Sequence, residues 1–360
     1  LINNYFTKTL TALARQSQQL VYGLLIVRQQ QLNSNKPLKE SKAMKLKFGL
    51  MAILAVLSAP AAAGTIDLGV ASNYNAFIFN DFSTYGNSIG GALAVGNNAF
   101  LPSNSIANGS HNQYGLVVGG DLNVPWGGGS LNGNAWIGGN NNAIPQYTIS
   151  GQVATASTAA APVDFAAAKT SLTSLSSQLA SITATGSYAA QDQWNQNSKI
   201  FTGSGASVEF FSLNANDFSS FNNLFFNSIA AGTTLVFNVA GDNASLGWQW
   251  QSLGSSYNVL FNFYEASNVT LNSLSINANI LAVDATINSG SGNLFGTVIA
   301  NNWNNSVTLG NGTFAAANSP LFNTVTAAVP EPHHYALLLA GLMVILVTAK
   351  RRRRLLTARV

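Results

Sequence analysis

The chain contains no cysteine. Disulfides, thiolate metal sites and a thiol nucleophile are therefore all excluded, and whatever folds must be held by its own core. Histidine is nearly as scarce: His333 and His334 stand together near the end, and His111 is alone in the interior. No His-x-x-x-His pair exists from which a zinc hydrolase could be built. Charge is the third scarcity, and the whole-chain figures hide it. A formal charge of +4 and a pI near 9.3 suggest a polyanion partner. Of the 16 Lys and Arg, however, eight fall in residues 1–63 and six in residues 350–359, leaving only Lys169 and Lys199 between. Residues 64–328 set those two cations against ten carboxylates, a net charge of −8. A body with no arginine and only two lysines cannot build a phosphate-neutralising surface, so nucleic acid is excluded as a partner.

The same scarcities argue against catalysis. Gly86 to Gly90, GNSIG, fits Gly-x-Ser-x-Gly around Ser88. A nucleophile elbow needs a strand before it, a helix after it, and an acid between Ser and His in chain order. No acid separates Ser88 from His111, and Gly90-Gly91 favours a corner over a helix start. Glycoside cleavage needs two facing carboxylates, and the ten acids here are spread singly. A coiled fold could still bring Asp121, Asp242 and Asp284 onto one face. GGDLN and AGDNAS each place one carboxylate beside Gly and Asn, short of any calcium-loop spacing. The chain reads as non-enzymatic, with no cofactor and no metal site.

What is present begins with an address at each end. Lys45 and Lys47 precede an apolar run over residues 48–57, and Ala61-Ala62-Ala63 stands before Gly64. That is the n-region, h-region and small-residue cleavage signature of a Sec signal peptide over residues 44–63, with signal peptidase reading Ala61 and Ala63. Residues 1–43 resemble no export signal and are expected to be an upstream mistranslation, Met44 being the start. Near the other end, residues 335–349 form 15 uncharged, mostly apolar residues, short of the roughly 20 that cross about 30 Å of hydrocarbon. The Lys350 and Arg351–Arg354 block behind them acts as a stop-transfer signal, leaving the tail cytoplasmic. The expectation is a transient stay in the inner membrane.

Between these ends lies one domain, residues 64–328. Its Gly, Asn, Ser and Ala content invites a reading of disorder, but the apolar residues alternate at strand spacing. Leu235, Phe237 and Val239 do so, as do Val259, Phe261 and Phe263, and then Val269 and Leu271. LAVGNNAF, LVVGGDLNV and AWIGGNNN repeat one pattern, with Val95, Val118 and Ile137 in equivalent places 23 and then 19 residues apart. Gly and Asn at each corner supply the positive φ that tight turns demand. The expected fold is mainly β, a right-handed β-solenoid of stacked coils, with a β-sandwich as the alternative. Phe165, Ala168, Leu172, Leu175, Leu179 and Ile182 fall at steps of three and four, predicting one flanking amphipathic helix near residues 164–182, capped by Asp164.

Two resemblances add to this. Val329-Pro330-Glu331-Pro332, the apolar run and Arg351, Arg352, Arg353 and Arg354 resemble the PEP-CTERM sorting signal of Gram-negative bacteria that make exopolysaccharide. That resemblance implies processing of residues 329–354 by a membrane protease, exosortase. IDLGVASNYNAFIFNDFS with IGGALAVGNNAFL and LVVGGDLN is similar to the choice-of-anchor A domain, over roughly residues 66–315. Some members of that family are regarded as collagen-binding or adhesin-like. The layout is also similar to the ice-binding-like solenoid fold with its flanking helix, an analogy of fold alone.

The expected partners are thus the Sec machinery, signal peptidase and exosortase, with an exopolysaccharide or collagen-like ligand outside the cell. The expected role is that of a non-catalytic, adhesin-like surface or biofilm-matrix protein; the alternative is an ice-binding or polysaccharide-active solenoid. Exposed Trp126, Trp136, Trp248, Trp250 or Trp303 would suit sugar stacking, although burial is the commoner fate of such a side chain.

Overall fold

The computed structural model describes residues 63–107, 113–253 and 255–322. Short strands joined by Gly- and Asn-bearing corners wind into coils that stack into three parallel ladders. The first ladder runs, in spatial order, through Val153–Thr155, Ala135–Ile137, Leu116–Val118, Leu93–Val95 and Ala76–Ile78. It continues through Val298–Asn304, Asn279–Asn288, Asn258–Asn262, Thr234–Ala240 and Val208–Asn214. The second ladder runs from Asn141–Ala143 through Leu122–Val124, Ala99–Phe100 and Phe82–Ser83 to the far parts of Val298–Asn304 and Asn279–Asn288, then Asn268–Asn272 and Asn243–Gly247. The third comprises Tyr147–Ile149, Gly129–Leu131, Ser105–Ile106, Ser88–Ile89, Thr308–Gly310, Gly292–Phe295 and Leu274–Asn277. This is a β-solenoid, and the sandwich alternative is set aside.

The expected repeat is realised to the residue. Val95, Val118 and Ile137 stack directly upon one another in the first ladder. The reason for the glycines beside them is different from the one expected. Gly96, Gly119 and Gly138 do not have positive φ. They stack in a column so close that a Cβ on Gly119 would lie 2.2 Å from the Gly96 carbonyl oxygen, and one on Gly138 2.3 Å from that of Gly119. The residue type is set by the approach of one coil to the next. Positive φ is used instead at the following corner, by Gly86 and Gly127.

Stack order departs from chain order. The first five coils wind away from Ala76–Ile78, and the later coils begin at Val208–Asn214 and wind back. Strand Val298–Asn304 then pairs with Ala76–Ile78 in register Val298↔Ala76. The later coils are longer, and their interior is aromatic: Phe201, Phe211, Phe218, Phe237, Trp250 and Phe261 pack there, with the Phe218 and Trp250 rings 4.6 Å apart. The shorter early coils hold Leu, Val, Ile and Ala in the same position.

Helix α1, Phe165–Ser181, lies across the outer side of the first ladder. Asp164 caps it by accepting from the Ala167 N–H at 2.9 Å. Ala168, Leu172, Leu175 and Leu179 are buried against Phe77, Val117, Val236, Leu260 and Ile299, so those strands are apolar on both sides. Ser176, which is not one of the stripe residues, is buried as well. Its hydroxyl donates to Asn262 Oδ1 at 2.6 Å, Asn262 Nδ2 donates to Asn238 Oδ1 at 2.8 Å, and Asn238 Nδ2 donates to the Leu179 carbonyl. Helix α2, Ala215–Ser220, packs on strand Asn243–Gly247 at the wide end.

Among the described residues one carboxylate is fully buried. Glu209 accepts from Thr185 Oγ1 at 2.5 Å, from the Ser204 N–H and hydroxyl, and from the N–H groups of Gly205 and Ala206. Burial pushes its pKa up, but the bonds from Thr185, Ser204 and Ala206 outweigh this and hold it below the usual carboxylate range. Strand Gly64–Ile66, directly after the expected cleavage site, pairs antiparallel with Ala317–Ser319, so the two ends of the domain leave side by side.

Candidate functional site

With α1 covering the first ladder, the outward rows of the second and third are what the domain presents. Along the third ladder the registers align Thr148, Ser130, Ser105, Ser88, Thr308, Asn293 and Ser275. Ser88 thus belongs to a row of short polar side chains on a two-residue strand with no helix after it, which removes the elbow geometry. His111 lies outside the described residues. Only Thr148 and Thr308 in this row are threonine, and Thr270 of VTLN lies on the second ladder instead. No regular threonine row of the kind an ice surface requires is formed along it.

Along the second ladder the outward row is Asn142, Asn123, Phe100, Ser83, Asn304, Asn288, Thr270 and Ser245. A second row lies at the preceding corner, and its side chains bond from coil to coil. Asn140 Nδ2 donates to Asp121 Oδ1 at 3.1 Å, the Asp121 N–H donates to Asn98 Oδ1 at 2.9 Å, and the Asn98 N–H donates to Asp81 Oδ1 at 3.1 Å. Asp121 is therefore a link in a corner ladder. Asp242 accepts from Ser267 and from Asn243, and Asp284 pairs with Lys169 at 3.2 Å beside α1. The three acids are not brought together. Among the described residues no three acids or histidines gather as a metal site.

The tryptophans divide sharply. Trp136, Trp250 and Trp303 are core residues, and the Trp136 indole N–H donates to the Ala159 carbonyl. Trp126 and Trp248 are 55% and 56% exposed, as is Tyr85 at 56%; Trp194, which sequence reasoning did not single out, is 84% exposed. Trp126 and Tyr85 form a cluster. Both contact Phe100 edge to face, with ring centroids 5.5 and 5.7 Å from it. They come from three successive coils: Tyr85 and Trp126 from the corners after strands Phe82–Ser83 and Leu122–Val124, and Phe100 from the end of strand Ala99–Phe100 between them. No cation among the described residues lies with them: Lys169 is taken up by Asp284, and Lys199 lies over the Phe221 ring, 5.5 Å from its centroid.

A cleft of about 350 Å³ opens between Gly69, Val70 and the first turns of α1. Its two acids are committed to the backbone, Asp67 accepting from the Gly69 N–H and Asp164 from that of Ala167. It is otherwise lined mainly by Leu68, Val163, Ala168, Leu172 and Leu175, and offers no reacting pair.

Of the targeting residues, Ala63 is described and exposed, next to the paired strand. Ala61, Val329, Pro330, Glu331, Pro332 and Arg351–Arg354 lie outside the described residues, as does the segment 335–349. No helix among the described residues is long and apolar enough to cross a membrane.

No curated protein and no solved structure matches the chain. One family model does, over residues 67–314, well over half of the sequence, and its description is "Putative Ice-binding-like adhesive domain". The matched span begins at Asp67-Leu68-Gly69 and takes in all three ladders and α1. The chain belongs to this ice-binding-like adhesive domain family.

Proposed function

We propose that the chain is an exported surface protein whose solenoid adheres, without catalysis, to a polymer outside the cell. The family supports an adhesive role. The observation that carries the reading is the form of the exposed surface: long parallel rows of Asn, Ser and Thr, tied coil to coil by hydrogen bonds, with an aromatic cluster at one corner. Such a face is held rigid before contact, so little ordering entropy opposes binding to an extended partner.

The finer expectations join this reading as proposals. Signal peptidase cleaves after Ala63, the membrane holds the tail transiently, and exosortase processes residues 329–354 to leave the domain at the cell surface or in the biofilm matrix of a Gram-negative bacterium. Mass spectrometry of the exported protein's termini tests the processing: an N-terminus at Gly64 and loss of Arg351–Arg354 are expected. Retention of the arginine block in mature protein overturns the sorting reading. Adhesion of cells displaying the full chain to exopolysaccharide, collagen and other polymers tests the role; no retention on any of them overturns it.

A further inference from the structure

We propose that Tyr85, Phe100 and Trp126 form a track for an uncharged, extended polysaccharide of β-linked hexoses, lying along the stacking direction of the coils. This rests on the adhesive reading and assigns its site and ligand class.

The first observation is exposure. This chain buries Trp136, Trp250 and Trp303 almost completely, so the half-exposure of Trp126 and Tyr85 is not forced by a lack of interior. Large apolar rings left in water at adjoining positions mark a contact surface. The second is arrangement. Phe100 is half-buried and sits between the other two, its ring at 65° to Tyr85 and 73° to Trp126. It buttresses both from the side, so each is held in one orientation and loses little freedom on binding.

The third is spacing. Tyr85 and Trp126 belong to coils two steps apart, and two strand separations are about 9.6 Å. That is close to the disaccharide repeat of an extended β-1,4-linked chain, in which every second ring turns the same apolar C–H face to one side. A chain lying across the coils would present that face to both aromatic rings.

The fourth is what surrounds the rings. Gly127, Gly128 and Gly129 follow Trp126, and a Cβ on Gly128 would meet nothing within 4 Å. Among the described residues no side chain comes within that distance, so a polymer can pass beside the indole. On the other side Asn142 and Asn123, joined by a 3.0 Å hydrogen bond, lie on the same outward row as Phe100 and offer amide groups to hydroxyls. The carboxylates of Asp81 and Asp121 stand at the preceding corner of the same strands, and among the described residues no lysine or arginine joins the rings. A polyanion is repelled there, which selects a neutral glycan.

The test uses the full chain, purified in detergent, with retention measured by affinity electrophoresis through hydroxyethyl cellulose and by sedimentation with insoluble cellulose and chitin. Polygalacturonate and gelatin are run beside them. Wild type is compared with Trp126→Ala, Tyr85→Ala and Trp248→Ala, the last an equally exposed tryptophan elsewhere. Retention by the neutral glycans is expected, unchanged by added salt because no ion pair is involved. Loss of one stacking ring weakens it about tenfold, while Trp248→Ala leaves it unchanged. Equal retention of Trp126→Ala and wild type, or retention on polygalacturonate or gelatin alone, overturns the proposal. If displayed cells adhere to some polymer while Trp126→Ala makes no difference, the assignment fails and the adhesive reading stands; if wild-type cells adhere to none, the reading itself fails.

Discussion

Replacing Glu209 by Gln changes one atom and one charge inside the only fully buried carboxylate site among the described residues. The carboxylate accepts from Thr185 Oγ1, Ser204 N, Ser204 Oγ, Gly205 N and Ala206 N, and so ties the 204–206 turn and residue 185 to the first strand of the later coils. A hydrogen bond to a charged group contributes about 1.5–3 kcal/mol, a neutral one about 0.5–1.5. Gln retains one acceptor oxygen for the bonds that Oε1 now takes, and each of them drops to the neutral class. Its amide also presents donors to Thr185, whose hydroxyl already accepts from the Phe210 N–H at 3.0 Å. These losses are not additive, and the net cost is expected to be about 3 kcal/mol. Urea denaturation followed by tryptophan fluorescence measures it. The sign with pH follows from the lowered pKa of the folded carboxylate. Its stabilisation is complete above the unfolded value of about 4.3 and is lost as pH falls through that range toward the folded value, because the unfolded chain then binds the extra proton. Wild type should therefore lose stability on acidification more steeply than the Gln variant. A cost below about 1 kcal/mol, or identical acid limbs for the two proteins, would refute this account of the site.

Gly119→Ala forces a methyl against the Gly96 carbonyl and should cost about 2–3 kcal/mol, whereas Gly128→Ala, with open space around it, should stay within about 0.5 kcal/mol by the same denaturation. Trp250→Ala empties the aromatic interior and is expected to cost about 3–5 kcal/mol; Trp248→Ala, half in water, should be close to neutral, and equal costs would remove the distinction between them. Asn262→Ala leaves the buried Ser176 and Asn238 groups without partners and should cost about 2–4 kcal/mol, with hydrogen exchange rising first along α1 if the network is what seats the helix.

The repeat and the helix were legible in the sequence because each has a period that runs long enough to be read. Seventeen residues carry the α1 stripe, and three quoted motifs carry the coil register. What α1 does to the strands beneath it was not legible. Alternation over TLVFNV and NVLFNF suggests one buried side, yet Val236 and Leu260 are as buried as their neighbours because the helix covers them. Ser176 was hidden for the same reason: its partner Asn262 is 86 residues away. Strands of two or three residues fix a direction for their own side chains and none for the corner that follows. Trp126 and Tyr85 sit at such corners, so their exposure and their meeting at Phe100 could not be read. Nor does any residue announce that the winding restarts from the far end after α1.

That restart has a consequence for how the chain comes into being. Strand Ala76–Ile78 has Leu93–Val95 on one side as soon as the early coils form, but on the other side it waits for Val298–Ala300. An N-terminus-first order of synthesis leaves that edge unpaired while the intervening residues arrive, and an open strand edge is a template for wrong partners. Closing so distant a contact is slow. The seam between the two halves therefore works as a check on the chain's length: a chain cut short anywhere before Val298 keeps a sticky edge, and only one that runs on through strand Val298–Asn304 can seal it.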